Sequence, residues 1–165
     1  MPGHAVRREG EGMRTRVLGI CLAVWSFAFA CVHVGWALGW RGGLPGDLPS
    51  IADRPWFLAY DILAGLLMYA AAAVALFLSD ADPADRRTRT WRTATLIGSI
   101  AALGRGLPAL AWDLDNGELS GVAFLADVWF TVAGVAGLLL WRATRATSRR
   151  RSPAPGRPLP AGGAR

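Results

Sequence analysis

Four ionisable residues, His33, Asp61, Arg105 and Asp127, lie one in each of four largely apolar blocks of 21 to 24 residues, well inside its ends. Buried Asp, His and Arg are the usual ingredients of a proton or solute path, and equally of a clamp that sets helix packing and register. An arginine guanidinium has five donors, so Arg105 has the means to bridge both Asp61 and Asp127. His33 can accept from Arg105 or donate to a carboxylate. With His33 neutral the four sum to a charge of −1, and with it protonated to zero. A shared buried site needs a balance of that kind, because an unpaired charge in hydrocarbon is costly.

The four residues also agree in depth. His33 precedes Trp40 by seven residues, Asp61 follows Trp56 by five, Arg105 precedes Trp112 by seven and Asp127 follows Gly121 by six. At the helical rise per residue, all four lie roughly 8–11 Å inside the same boundary, if successive helices alternate in direction. Pro108, in the run Gly104-Arg105-Gly106-Leu107-Pro108, cannot donate to the carbonyl of Gly104, so the third helix is expected to break at this layer. Gly65, Gly98 and Gly134 are candidates for close helix approach.

The elements that carry these residues follow from hydropathy. Of 165 residues, 53% are hydrophobic and 18% charged, and the charges lie almost wholly between four apolar blocks. The blocks run over residues 17–40, 56–78, 91–112 and 121–141. Crossing the hydrocarbon core takes about 20 residues of helix. The segments are apolar nearly all round, whereas helices of a soluble bundle keep a polar stripe. The fold class expected is therefore all-α: an integral membrane bundle of four transmembrane helices, up-down-up-down, over residues 17–141. Residues 1–16 form a polar N-terminal tail, and residues 142–165 an arginine-rich tail expected to be disordered. A cleaved leader ending near Ala28-Phe29-Ala30 is disfavoured, because the apolar run continues to Trp40.

All 18 cationic residues are arginine, and the net charge is +6. The absence of lysine, with the wealth of Ala and Gly, suggests a bacterial source. Fifteen of the arginines fall in the N-terminal tail, the 80–92 loop and the C-terminal tail, against two in the loop from Arg41 to Pro55. The positive-inside rule then places both termini in the cytoplasm of a bacterial plasma membrane. Trp40, Trp56 and Trp112 mark the outer boundary, and Trp91 and Trp141 the inner one, as the amphipathic indole favours. The basic charge reads as topology rather than nucleic-acid binding. The lipid bilayer is the expected partner, and the C-terminal arginines are suited to anionic lipid.

Motifs for catalysis or cofactors are missing. The sequence has no His-Glu-x-x-His run, Gly-x-Ser-x-Gly elbow or phosphate loop. Cys21 and Cys31 stand ten residues apart on one helix, about 15 Å, beyond disulfide reach. His4 and His33 fall on opposite sides of the membrane, so one chain cannot supply a bis-His haem site. Asp113, Asp115, Asn116 and Glu118 form an acidic turn without EF-hand spacing. The chain is expected to be non-enzymatic, with no cofactor or metal.

The run His33-Val34-Gly35-Trp36-Ala37-Leu38-Gly39, followed by a Gly/Pro loop, resembles a bacterial family of small four-helix membrane proteins catalogued as a domain of unknown function. In that family a His-x-x-Trp-Ala-Leu-Gly signature closes the first span. The resemblance covers about Val17 to Trp141, with His33, Trp36 and Gly39 as signature positions, and implies architecture without activity. Two functional expectations stand: a small membrane protein whose buried ionic cluster organises the bundle, or a small transporter or solute-binding protein that uses the same cluster.

Overall fold

The computed structural model describes residues 3–44, 50–82, 85–117, 119 and 121–151. Pro45, Gly46, Pro49 and Glu118, and the tail from residue 152, lie outside the described residues. The chain is all-helical, with α1 over Gly3–Ala37, α2 over Pro55–Asp80, α3 over Arg86–Asn116 and α4 over Val122–Arg151. A single 3₁₀ turn, Ile51–Asp53, sits in the loop before α2. Each of the four helices contains a stretch long and apolar enough to cross a membrane.

Helix ends follow local chemistry. Pro55 opens α2, where its fixed φ suits the first turn and its missing N–H costs nothing. Asp85 caps α3 by accepting from the Arg87 backbone N–H at 3.2 Å. Gly117, at φ +72°, ends α3 in the left-handed region.

The helices overrun the apolar blocks. Residues 3–16 and 142–151, read above as tails, are helical. A nucleated helix gains a hydrogen bond per added residue, and Arg, Glu and Ala propagate it well. The acidic turn likewise belongs largely to α3, whose last residue is Asn116. Pro108 does not break α3, which continues on both sides of it.

The helices pack as two tight pairs. α1 lies on α2 and α3 on α4; α4 also touches α1, whereas α2 and α3 barely meet. In the first pair Gly19 abuts Ser79 and Ala75, while His33 near the other end of α1 meets Asp61 and Gly65, so the partners run in opposite senses. In the second, Gly134 abuts Leu103 and Ser99, and Gly106 abuts Asp127 and Thr131. Gly98, expected to allow close approach, faces open space.

The buried apolar core is small and lies toward the Gly19 end: Leu22, Ala23, Ala72, Ala75, Leu78 and Leu140. Large apolar side chains point outward instead, among them Leu63, Leu66, Leu67, Ile97, Ile100 and Leu125. Only 11% of the apolar window of α3 is buried within the bundle. Water does not tolerate an apolar surface of that extent, and acyl chains do. Several hydroxyls within the helices are satisfied locally, as Thr95, Ser99, Thr131 and Thr144 each donate to the carbonyl four residues earlier.

Candidate functional site

His33 sits one turn before the end of α1, and the last turns of that helix explain its position. Gly39 adopts φ +93°, a conformation that glycine enters without a Cβ penalty. The Trp40 N–H donates to the Gly35 carbonyl at 2.9 Å, and the Gly39 N–H to that of Trp36 at 3.0 Å. These two bonds form a Schellman motif with Gly39 at C′. The Trp36 indole donates across the turn to the Gly42 carbonyl at 3.0 Å. Gly39 therefore stops the helix and Trp36 ties the stop to the loop. Six residues before Gly39, His33 faces α2, so His33, Trp36 and Gly39 each have a distinct geometric task.

On α2, Asp61 is buried with 3% of its side chain exposed, and His33 with 8%. His33 Nδ1 and Asp61 Oδ1 are 2.5 Å apart. Gly65, one turn on, leaves room for this approach: a Cβ there would stand 3.4 Å from the His33 Cβ. His33 Nε2 and Asp61 Oδ2 are buried with no hydrogen-bond partner.

The second pair joins α3 to α4. Arg105 Nη1 donates to Asp127 Oδ1 at 2.7 Å, with the Asp127 side chain 5% exposed and that of Arg105 53%. Gly106 brings the helices together beside it, since a Cβ there would lie 2.6 Å from Thr131 Oγ1 and 2.9 Å from the Asp127 carbonyl. The guanidinium also lies 5.7 Å from the centroid of the Phe130 ring, within cation–π range.

The four residues thus form two pairs, one in each helix pair, rather than one cluster bridged by Arg105. An aromatic set lies between them. Phe29 meets His33 edge-on at 4.7 Å, stacks on Trp129 at 4.8 Å and meets Phe130 edge-on at 5.8 Å. Trp25 stacks on Trp129 at 4.1 Å, and Trp36 meets His33 edge-on at 5.3 Å. These rings are the main constituents that charge alone does not reveal. The signal was present: Phe29, His33 and Trp36 stand at i, i+4 and i+7, one face of a helix.

Beside the first pair, a groove of about 370 Å³ runs between α1 and α2. Its walls include His33, Ala37, Asp61, Ile62, Gly65 and Tyr69. Cys31 and Cys21 are both free and exposed, and the Cys31 thiol lies 3.9 Å from the Tyr69 hydroxyl. Asp113 is buried near the end of α3, while Asn116 bonds back to the Trp112 carbonyl at 2.8 Å. Among the described residues, no group of three or more His, Cys, Asp or Glu side chains is placed to hold a metal.

No family model, no curated protein and no solved structure matches the chain.

Proposed function

We propose that this chain is a non-enzymatic multi-pass protein of a bacterial plasma membrane, in which two ionic pairs built on buried carboxylates organise a four-helix bundle. The helices cross the bilayer up-down-up-down, with both termini in the cytoplasm. The observation that carries the reading is the pairing itself: each helix contributes one ionisable residue, and each contacts its counterpart on the adjoining helix. Helix association in lipid lacks a hydrophobic driving force and relies on close packing and polar contacts between helices. A His–Asp contact in one helix pair and an Arg–Asp contact in the other supply such contacts, and the rings around Phe29 supply packing between the pairs. The arginines from Arg142 onward anchor the inner face and attract anionic lipid. Membership of the family with the His-x-x-Trp-Ala-Leu-Gly signature belongs to the same reading.

A double-mutant cycle across Arg105 and Asp127 in detergent tests the proposal. A coupling of about 1 kcal/mol or more between Asp127→Asn and Arg105→Gln is expected for contacting residues. Strict additivity would refute the organising role.

A second reading, solute binding or transport at the same residues, is favoured by the groove that His33 and Asp61 help to line. Under it, variants at the pair lose a cellular phenotype while the folded protein persists.

A further inference from the structure

The groove between α1 and α2 combines an apolar wall with two buried polar atoms that have no partner. Its lining is aliphatic apart from His33, Asp61 and Tyr69. Val34, Leu38, Ile62 and Leu66 on its rim are exposed outside the bundle, so in a bilayer the groove opens to acyl chains rather than water. Of the lining residues, His33 and Asp61 each keep one buried atom, Nε2 and Oδ2, without a hydrogen bond, although their sister atoms hold each other at 2.5 Å. Buried polar groups are nearly always satisfied, and one left over costs about 1–3 kcal/mol. Two such atoms in one contacting pair at one groove call for an outside partner.

From these features we infer that the α1–α2 groove binds a lipid-soluble quinone or its quinol, with a ring oxygen held by the His33–Asp61 pair. Three properties select this class. The first is depth, which rests on the membrane placement proposed above: the pair lies roughly 8–11 Å inside the boundary. Phospholipid headgroups stay at the interface, whereas a neutral quinone ring enters the hydrocarbon. The second is charge: Asp61 repels a fatty-acid carboxylate or a phosphate, while a carbonyl or hydroxyl is neutral. The third is hydrogen-bond polarity. With Nδ1 donating to Asp61, Nε2 of a neutral ring accepts, as does Asp61 Oδ2, and a quinol hydroxyl matches either; in the protonated ring of a His–Asp ion pair Nε2 donates, and a quinone carbonyl matches it. The groove volume falls within the range of small-molecule sites, about 300–1,000 Å³. Such a volume takes the ring and the start of its tail, and the open side lets the tail run into lipid.

The test is native mass spectrometry of the full chain released from phosphatidylcholine nanodiscs. The probes are phylloquinone, phytane (a branched tail without a head) and phosphatidylglycerol. Saturable binding of one phylloquinone is expected, unmatched by phytane and not displaced by phosphatidylglycerol. Ile62→Trp fills the groove from its exposed rim and leaves the pair intact, and Leu66→Trp does so one turn on. Each should weaken binding at least about tenfold, with the thermal unfolding midpoint unchanged. His33→Phe keeps the ring but removes both nitrogens, and should weaken binding similarly. Equal retention of phytane, displacement by phosphatidylglycerol, or wild-type affinity in a folded groove-filling variant overturns the inference. Those results leave the Arg105–Asp127 coupling untouched, so failure of the quinone site and failure of the organising role are separately visible.

Discussion

The ring of Phe29 on α1 meets that of Phe130 on α4 edge-on, with centroids 5.8 Å apart. Through this contact the two polar pairs become neighbours: His33 lies against Phe29, and the Arg105 guanidinium lies over Phe130. Edge-to-face rings add about 0.5–1.5 kcal/mol beyond the area they bury. The link is apolar, so each pair must balance its own charge within its own helix pair. That constraint shapes the expected responses to substitution.

The Arg105–Asp127 pair should respond asymmetrically. Arg105→Gln leaves the carboxylate of Asp127 buried with no cation, the situation that costs about 3–5 kcal/mol in soluble proteins. Asp127→Asn leaves a guanidinium that is half exposed and long enough to turn its head toward the headgroup layer, so its cost should be clearly smaller. Unfolding in graded denaturing detergent would measure both, and a larger loss for Asp127→Asn would reverse the ranking.

At the other pair, the cost should come from isolating Asp61 rather than from losing imidazole volume. Truncation by His33→Ala removes the contact to a carboxylate only 3% exposed, leaving neither of its oxygens with a side-chain partner. A loss of about 1–3 kcal/mol is expected, by the penalty for stranding a buried polar group. Combining His33→Phe with Asp61→Leu removes both polar groups at similar volume and should restore much of that loss, because apolar replacement of a buried pair is often neutral. Failure of the double variant to exceed His33→Ala in thermal stability would show that the pair is needed for more than mutual compensation.

Two glycines of α3 should behave in opposite ways. Gly106→Ala drives a methyl to within 2.7 Å of the Thr131 backbone nitrogen, which cannot move without displacing α4. Overpacking of this kind costs about 1–3 kcal/mol. At Gly98 a Cβ meets nothing within 4 Å, so Gly98→Ala should be neutral or slightly stabilising through helix propensity. Parallel thermal melts would check both, and an equal loss at the two sites would contradict the packing described for Gly106.

Orientation is open to direct measurement. Reporters fused at Met1 and Arg165 should both score as cytoplasmic, and a tag inserted near Gly46 as external, as the arginine distribution requires. An external C-terminus would mean an odd number of crossings and would remove the common depth of the four polar residues.

Much of this architecture was legible in the chain. Four apolar blocks near the length of a bilayer crossing, with charges between them, specify four helices, because length and hydropathy are local properties. The same locality made the four polar residues visible, since a charge stands out in an apolar run. Spacing from Trp40, Trp56, Trp112 and Gly121 also predicts one level for them. Helix ends were less legible: α1 and α4 extend into arginine-rich sequence, since propagation depends on backbone hydrogen bonding rather than hydropathy. Pro108 predicts a break, yet α3 continues through it. Partner choice was the part that only tertiary structure decided. Arg105 has two carboxylates at the same expected depth, and nothing in one dimension separates them. Gly106 brings α3 against α4 while α2 and α3 barely meet, so Arg105 takes Asp127 and His33 takes Asp61. Residue type and spacing determine which groups must find partners, and the side on which helices can approach determines which partners they find.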